Sequence, residues 1–293
     1  MDGILNIDKP RGLTSHDVVE RIRRLTKSRA GHAGTLDPNA TGVLLVCVGK
    51  ATRVAEYLTA GRKRYLASIL LGVTTDTYDA DGKTVDTQPV DVTEAEVLDA
   101  LDQFRGPIQQ IPPAFSALKK NGKPLYKLAR RGVEVERNAR RVEVYELVVE
   151  KCTPPDVVIT VECSAGTYLR SIAYDLGVTL GCGGHLAALS RTASGPFKLE
   201  DAAQLNEIER VAREGDLSPY VLPLDSAVSD YPTLGLNPRE VEIVRHGGFV
   251  CPTDDTPESP TLCRAYDADG RFVALLRFDV QQHSWRPHKV FLG

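Results

Sequence analysis

Strand-like patterns in three stretches constrain the fold of this chain more than any other feature of its sequence. They run from Tyr65 to Leu71, from Val142 to Val148 and from Val157 to Cys163. A period of two residues places every second side chain on one face of a strand. Each stretch therefore predicts a strand with one buried face. Two Asp-Ala-Asp-Gly tetrapeptides, at 79–82 and 267–270, predict hairpin turns because Asp-Gly suits a positive φ.

Helical signals lie between these stretches. Ser15 is the expected cap of an amphipathic helix whose apolar stripe consists of Val18, Val19, Ile22 and Leu25. Thr93 and Glu96 form a capping box that opens a second helix. Helices and strands are thus interspersed without strict alternation. This favours an α+β (mixed α/β) fold, with a mostly antiparallel mixed sheet and flanking helices, over a doubly wound parallel sheet.

A proline-rich segment divides the chain. Between Pro219 and Pro238 four prolines occur with little periodicity, which is typical of a linker. Short β-like runs follow at 261–266, 272–278 and 289–292. We therefore expect a main domain over residues 1–230 and a small all-β module over residues 231–293.

Composition excludes several classes of protein. The 293 residues are 42% hydrophobic and 26% charged, and no apolar run approaches the roughly 18 residues needed to cross a bilayer. The N-terminus lacks a signal-peptide pattern, so a cytoplasmic protein is expected. The six cysteines form no CxxC pair, which predicts reduced core residues and no metal site.

Basic residues are concentrated in two segments although the net charge is −3. Residues 117–141 contain nine bases and two acids, and residues 9–30 contain seven bases and two acids. Such segments indicate a surface that binds a polyanion, and an ordinary solvated surface is the alternative. Phe115 and Tyr126, which lie in or beside the longer segment, favour a nucleic acid.

One carboxylate stands in a segment rich in turn-forming residues. Asp37 precedes Pro38 within GHAGTLDPNATG, from Gly31 to Gly42, and proline pushes the residue before it towards an extended backbone. A rigid loop of this kind can hold a nucleophile, and a plain Asp-Pro turn is the alternative.

A second candidate segment is CSAGTYLRSIA, from Cys163 to Ala173. Tyr168 and Arg170 share a face if the preceding strand continues through them, and they diverge if a helix starts at Gly166. An arginine beside a buried aspartate would keep it ionised, and a structural ion pair is the alternative. Phosphate-loop, calcium-loop, dinucleotide and zinc-protease motifs are absent from the sequence.

Four segments, in order along the chain, carry a family resemblance. They are DKPRGLTS (8–15), GHAGTLDPNATGVL (31–44), KRYLASILLGVTTDTYDADG (63–82), and GTYLRSIAYDLG with GGHLAALSRTASGPF (166–197). Together they resemble the TruB-type branch of the pseudouridine synthases over most of residues 3–200. The resemblance implies the pseudouridine synthase fold and, more weakly, a small C-terminal PUA-like β-barrel.

The resemblance also implies roles for individual residues. Asp37 matches the essential aspartate and Arg170 the arginine paired with it. Tyr65 matches the tyrosine that stacks on the target base. The positions that contact or shape the bound nucleotide are matched by His32, Tyr168 and Leu189. Ser190 departs from the pattern, because many relatives have a second basic residue there.

The implied function is the isomerisation of uridine to pseudouridine at position 55 in the T-arm loop of tRNA. The base would be flipped out of the RNA, and no cofactor or metal would be required. The expected partner is the T-arm of tRNA, without guide RNA or membrane, and a monomer suffices. Asp37 could attack C1′ of the ribose, attack C6 of the base or remove a sugar proton. A guide-RNA-dependent synthase and a non-catalytic RNA-folding protein are the alternative functions.

Overall fold

The computed structural model describes residues 1–116, 118–120, 122–125, 129, 136–251 and 261–292. Much of the basic segment 117–141 therefore lies outside the described residues, as do Tyr126 and the side chains of Lys119, Lys120 and Lys123.

A central mixed sheet dominates the described part of the chain. Its strands are β1 (Gly3–Lys9), β2 (Ala30–Ala33), β3 (Thr41–Val48), β4 (Lys63–Leu71), β7 (Gly106–Gln110), β10 (Arg140–Thr153), β11 (Asp156–Cys163), β12 (Gly184–Ser194), β13 (Phe197–Lys198), β14 (Ala203–Gln204) and β15 (Val221–Leu222). The main path of the sheet runs in the order β14-β1-β3-β12-β4-β11-β10-β7, and β2, β13 and β15 pair at its sides. The pairing is antiparallel except for β1 with β14 and β3 with β12, which confirms the predicted mixed, mostly antiparallel sheet.

Two short hairpins project from this sheet. They are formed by β5 (Val73–Thr75) with β6 (Thr84–Thr87), and by β8 (Lys119–Lys120) with β9 (Lys123–Pro124). The three strands predicted from sequence correspond to β4, β10 and β11.

Six α-helices occur among the described residues. They are α1 (Ser15–Thr26), α2 (Ala55–Ala60), α3 (Glu94–Asp102), α4 (Leu169–Thr179), α5 (Leu205–Glu214) and α6 (Pro238–Arg245). The predicted capping box of Thr93 and Glu96 is confirmed at α3. The cap expected at Ser15 is wrong by one residue. Thr14 caps α1 in a capping box with Asp17, and Ser15 is buried instead.

The two Asp-Ala-Asp-Gly segments behave differently. The segment at 267–270 joins two strands of the C-terminal sheet, and Gly270 has a φ of 76°, as expected. The segment at 79–82 lies in the longer loop between β5 and β6, where the positive φ belongs to Tyr78 and not to Gly82. Gly82 is required there for a different reason, because a Cβ on it would lie 2.3 Å from the Thr77 hydroxyl.

The C-terminal residues form a separate four-stranded sheet in the order β16 (Thr233–Gly235), β17 (Leu262–Tyr266), β18 (Phe272–Asp279) and β19 (Ser284–Val290). The expectation of an all-β module is wrong, since α6 lies within it. Asn237 caps that helix, Pro238 occupies its first turn and Glu240 completes a capping box. This Asn-Pro-x-Glu signal is present in the sequence, where it overlaps the end of the segment predicted to be a linker.

Two apolar clusters connect the layers of the molecule. The larger lies between the central sheet and helices α1, α3, α4 and α5. The second lies on the other side of β1 and β3, where Ile4 and Val43 belong to the same cluster as Leu275 and Phe291 of the C-terminal module. The module therefore packs directly on the sheet. No helix in the described ranges is long and apolar enough to span a bilayer.

Candidate active site

The loop that contains Asp37 joins β2 to β3 and is tied to the N-terminal segment. The Ser15 hydroxyl donates to the Leu36 carbonyl at 2.9 Å and accepts from the Leu36 amide at 2.8 Å. The Pro38 carbonyl accepts from the Gly12 amide at 2.8 Å and from Lys9 Nζ at 3.1 Å. Because both neighbours of Asp37 are fixed in this way, its backbone has little freedom.

Arg170 lies in the first turn of α4 and reaches Asp37 across the site. Its Nη2 is 3.0 Å from Asp37 Oδ2, and its Nη1 is 3.3 Å from Asp79 Oδ2. The same guanidinium donates to the carbonyls of Phe115 at 3.0 Å and Thr77 at 3.3 Å. With 6% of its side chain exposed, Arg170 is a buried cation shared between two carboxylates.

Opposing influences act on the charge of Asp37. Burial raises the pKa of its carboxyl, Arg170 opposes the rise and the negative charge of Asp79 adds to it. The side chain has 43% of its surface exposed, but that surface faces a cavity with protein walls, so the carboxylate is less hydrated than it would be in free solution. Arg170 therefore favours the ionised form of a carboxylate that burial disfavours.

Asp37 and Arg170 lie in the wall of a cavity of about 360 Å³. Three more of the expected site residues line it, namely Tyr65, Tyr168 and Leu189. Tyr65 is 8% exposed and projects from β4 into the cavity wall. A volume of this size is in the range of pockets that hold a small organic ring system.

Tyr168 and Arg170 reach the same cavity in a way that neither sequence alternative described. The strand ends at Cys163, Tyr168 has an extended backbone and α4 begins at Leu169. The buried amide of Gln110 holds the turn, donating to the Tyr168 carbonyl at 3.0 Å and accepting from its amide at 2.7 Å. This clamp fixes where α4 starts and hence where Arg170 lies.

His32 is the one expected site residue that does not line the cavity. It lies on β2, two residues before the loop, and burial lowers the pKa of its imidazole. Its Nδ1 is buried, with no hydrogen-bond partner among the described residues. The structure thus places His32 on the strand that leads into the Asp37 loop and outside the cavity lining.

Comparison with known families agrees with this geometry. Residues 22–169 match the model of the TruB family pseudouridylate synthase N-terminal domain, and residues 170–229 match that of the tRNA pseudouridylate synthase B C-terminal domain. The chain belongs to the TruB family. Asp37 and Tyr65 come from the first matched segment, and Arg170 and Leu189 come from the second.

TruB-family relatives match along nearly the whole chain. A protein of Dehalococcoides mccartyi named tRNA pseudouridine synthase B is 42% identical over 294 residues, covering 100% of this chain and 97% of the relative. One of the same name from Syntrophotalea carbinolica is 48% identical, covering 87% of this chain and 83% of the relative.

Solved structures share the fold. A Cbf5-Nop10-Gar1 complex contains a chain with a TM-score of 0.74 and 29% identity, covering 99% of this chain and 85% of that chain. An H/ACA RNP bound to a substrate RNA containing 2′-deoxyuridine contains one with a TM-score of 0.73 and 27% identity, covering the same shares.

Sequence reasoning missed three buried basic residues of the TruB-family site, Lys9, Lys63 and Arg191. Each exposes 4% or less of its surface. All three stand within the segments that carry the family resemblance, but the sequence analysis assigns them no role. A basic residue in a strand is usually at the surface. These residues are buried because of where the fold places them, and local sequence patterns do not encode that placement.

Proposed function

We propose that this chain converts uridine to pseudouridine in the T-arm loop of tRNA, at position 55. The observation that supports it best is the Asp37–Arg170 pair in the wall of a cavity that Tyr65 also lines, in a chain of the TruB family. Relatives that match nearly all of the chain carry the name tRNA pseudouridine synthase B.

The proposed reaction requires little from the protein except position and charge. The N1–C1′ bond of uridine breaks, the ring turns, and a C5–C1′ bond forms with loss of the proton on C5 and gain of one on N1. No atom is oxidised or reduced overall. Since the target base is held inside RNA, it has to leave its stack and enter the cavity first.

Each cavity residue has a task in this proposal. Asp37 initiates the exchange of bonds at the sugar or the base, and Arg170 keeps it ionised. Tyr65 provides a face for the base, an interaction worth about 1–3 kcal/mol in other nucleic-acid binders. Tyr168 and Leu189 limit where the nucleotide can lie. His32, on the strand that leads into the Asp37 loop, helps to shape the site around the bound nucleotide.

The RNA is bound without a guide, and the protein acts as a monomer. The basic residues of segments 9–30 and 117–141 contact phosphates and orient the tRNA without reading its bases. The longer segment forms a clamp over the substrate. The 231–293 module is a second RNA-binding unit, packed on the main domain 1–230.

The direct test uses a tRNA transcript labelled with tritium at C5 of uridine, with no guide RNA or cofactor added. Formation of the C5–C1′ bond expels that hydrogen, so we expect wild-type protein to release tritium and Asp37→Asn to release none. Asp8→Asn is the matched control, since that carboxylate on β1 accepts a hydrogen bond from Gln204. Tight tRNA binding without release by wild type would favour a guide-dependent or RNA-folding protein.

A further inference from the structure

Two of the buried bases at the cavity, Lys63 and Arg191, carry charges that no carboxylate balances. Lys63 Nζ donates to the carbonyls of Leu58 at 2.9 Å and Gly61 at 2.6 Å. Among the described residues, neither base forms an ion pair, whereas Arg170 has two. Burying an unpaired cation costs free energy, so two such cations beside a cavity indicate that their positive charge serves the function of the cavity.

Of the two bases, Arg191 is the better placed to act on a ring bound in the cavity. Its Nε donates to the Val43 carbonyl at 2.6 Å and its Nη2 to the Gly34 carbonyl at 3.0 Å. Both acceptors are main-chain atoms in or beside the Asp37 loop, so the guanidinium is fixed before any substrate arrives. Gly34 is favoured here by its backbone, because its φ of 90° lies in the left-handed region that side-chain-bearing residues rarely adopt.

The same guanidinium adjoins the aromatic wall of the cavity. Arg191 on β12 is the register partner of Tyr65 on β4, and it interacts with the Tyr65 hydroxyl. Both residues line the cavity. A ring stacked on Tyr65 would therefore have a fixed positive charge near one edge.

The proposed reaction generates negative charge on that ring. If Asp37 attacks C1′ or a sugar proton is removed, the N1–C1′ electron pair stays with the departing uracil, whose carbonyl oxygens share it. If Asp37 attacks C6, an electron pair moves to O4. In each route the N1–C1′ bond breaks and a C5–C1′ bond forms. The bond from Asp37 to C1′ or C6 then breaks, or the sugar proton returns, while the C5 proton leaves and N1 gains a proton. Charge that appears only during reaction is best stabilised by fixed groups in a cavity that excludes water.

We infer that Arg191, with Lys63 beside it, stabilises the negative charge that develops on the uracil ring during isomerisation. The inference rests on the proposed function and adds an electrostatic site to it. Arg170 cannot take this role, since Asp37 and Asp79 already neutralise it. Burial, followed by the Arg191 charge, lowers the pKa of Lys63 to about 8, as expected in a region of positive potential.

The test compares two substrates in single turnover, tRNA with uridine and tRNA with 5-fluorouridine at the target position. Fluorine withdraws electrons and stabilises the ring anion without help from the protein. We expect Arg191→Gln to slow loss of the original nucleoside about 100-fold with uridine. The factor should be clearly smaller with 5-fluorouridine, and Arg191→Lys, which keeps the charge, should show a smaller defect than Arg191→Gln.

Controls separate charge from structure. Arg105→Gln removes an arginine that donates to the Leu147 carbonyl and pairs with Asp102, outside the cavity lining, and it should leave both rates unchanged. Thermal unfolding reports whether each variant folds; if Arg191→Gln does not, Arg191→Lys and Lys63→Met carry the substrate comparison. Equal slowing with both substrates, or a defect explained by weaker tRNA binding, would overturn the inference. Failure of wild type on both substrates would instead refute the proposed function.

Discussion

Asp79 controls the charge of Asp37 through Arg170, although it is not itself in the wall of the main cavity. Burial raises the pKa of Asp37, and the negative charge of Asp79 raises it further. Replacement of Asp79 by Asn removes that repulsion and leaves Arg170 to Asp37 alone. The pKa of Asp37 should therefore fall.

We expect the acid limb of the pH–rate profile to move to lower pH in Asp79→Asn, because Asp37 has to be ionised to act. Single-turnover rates measured from acidic to neutral pH would show this. Asp8→Asn should keep the wild-type limb. An acid limb that moves to higher pH or does not move would mean that a group other than Asp37 determines it.

Most of the site residues that the family resemblance implies lie close together in the structure, while their roles stay predictions. Asp37, Arg170, Tyr65, Tyr168 and Leu189 were expected in one site, and the structure brings all five to one cavity. Arg191 carries no local signal of burial, because its environment comes from β3, β4 and the Asp37 loop, which are distant from it in sequence. His32 is expected at the nucleotide from the resemblance, but it lies on β2 and is not among the residues that line the cavity.

At the level of elements, the first turn of α1 links helix formation to the active-site loop. Thr14 caps the helix, which frees the hydroxyl of Ser15 for two bonds with Leu36. Removal of the Ser15 hydroxyl leaves the buried Leu36 amide unpaired, at a cost of about 1–3 kcal/mol. Removal of the Thr14 cap costs about 1 kcal/mol and leaves the loop untouched.

We therefore expect Ser15→Ala and Thr14→Ala both to lower the free energy of unfolding, and Ser15→Ala alone to slow pseudouridine formation. Denaturant unfolding and single-turnover rates on the same preparations would separate the two effects. Equal loss of activity in both variants would show that helix stability, and not the loop contact, limits catalysis.

Element prediction failed where a cap or turn signal had two interpretations. The pattern around Thr14 and Ser15 allowed either residue to cap the helix, and burial of Ser15 against Leu36 decided between them. The prolines up to Pro238 predict a linker, although Asn237 and Pro238 open α6. Local sequence limits which residues can cap a helix or form a linker, and tertiary contacts determine which of the possible structures forms.

At the scale of the whole molecule, the basic segment 117–141 gives a prediction that rests on sequence. Each lysine that neutralises a phosphate releases a counterion, so Lys119, Lys120 and Lys123 should make tRNA binding salt-dependent. The triple Ala variant should bind more weakly at low salt. Its slope of log affinity against log salt should be shallower by up to about 2 units. Titrations at several salt concentrations test this, and an unchanged slope would remove the clamp from the proposal.

The shared apolar cluster bears on whether the C-terminal module can unfold alone. Leu275 and Leu276 are neighbours on β18, and both are fully buried. Leu275 packs with Ile4 and Val43 of the central sheet, whereas Leu276 packs within the module. Substitution of each leucine in turn therefore compares the stability that the interface contributes with the stability that the module core contributes, using residues of the same type.

Leu→Ala at either position should cost about 2–5 kcal/mol. Because Leu275 makes the module's stability depend on the central sheet, we expect one unfolding transition in wild type, shifted by both variants. Calorimetry with activity measured along the same temperature ramp would report it. Two transitions, with Leu276→Ala moving one of them while activity persists, would mean that the module unfolds independently. The packing of Leu275 and Phe291 on β1 and β3 would then contribute too little free energy to couple the two parts.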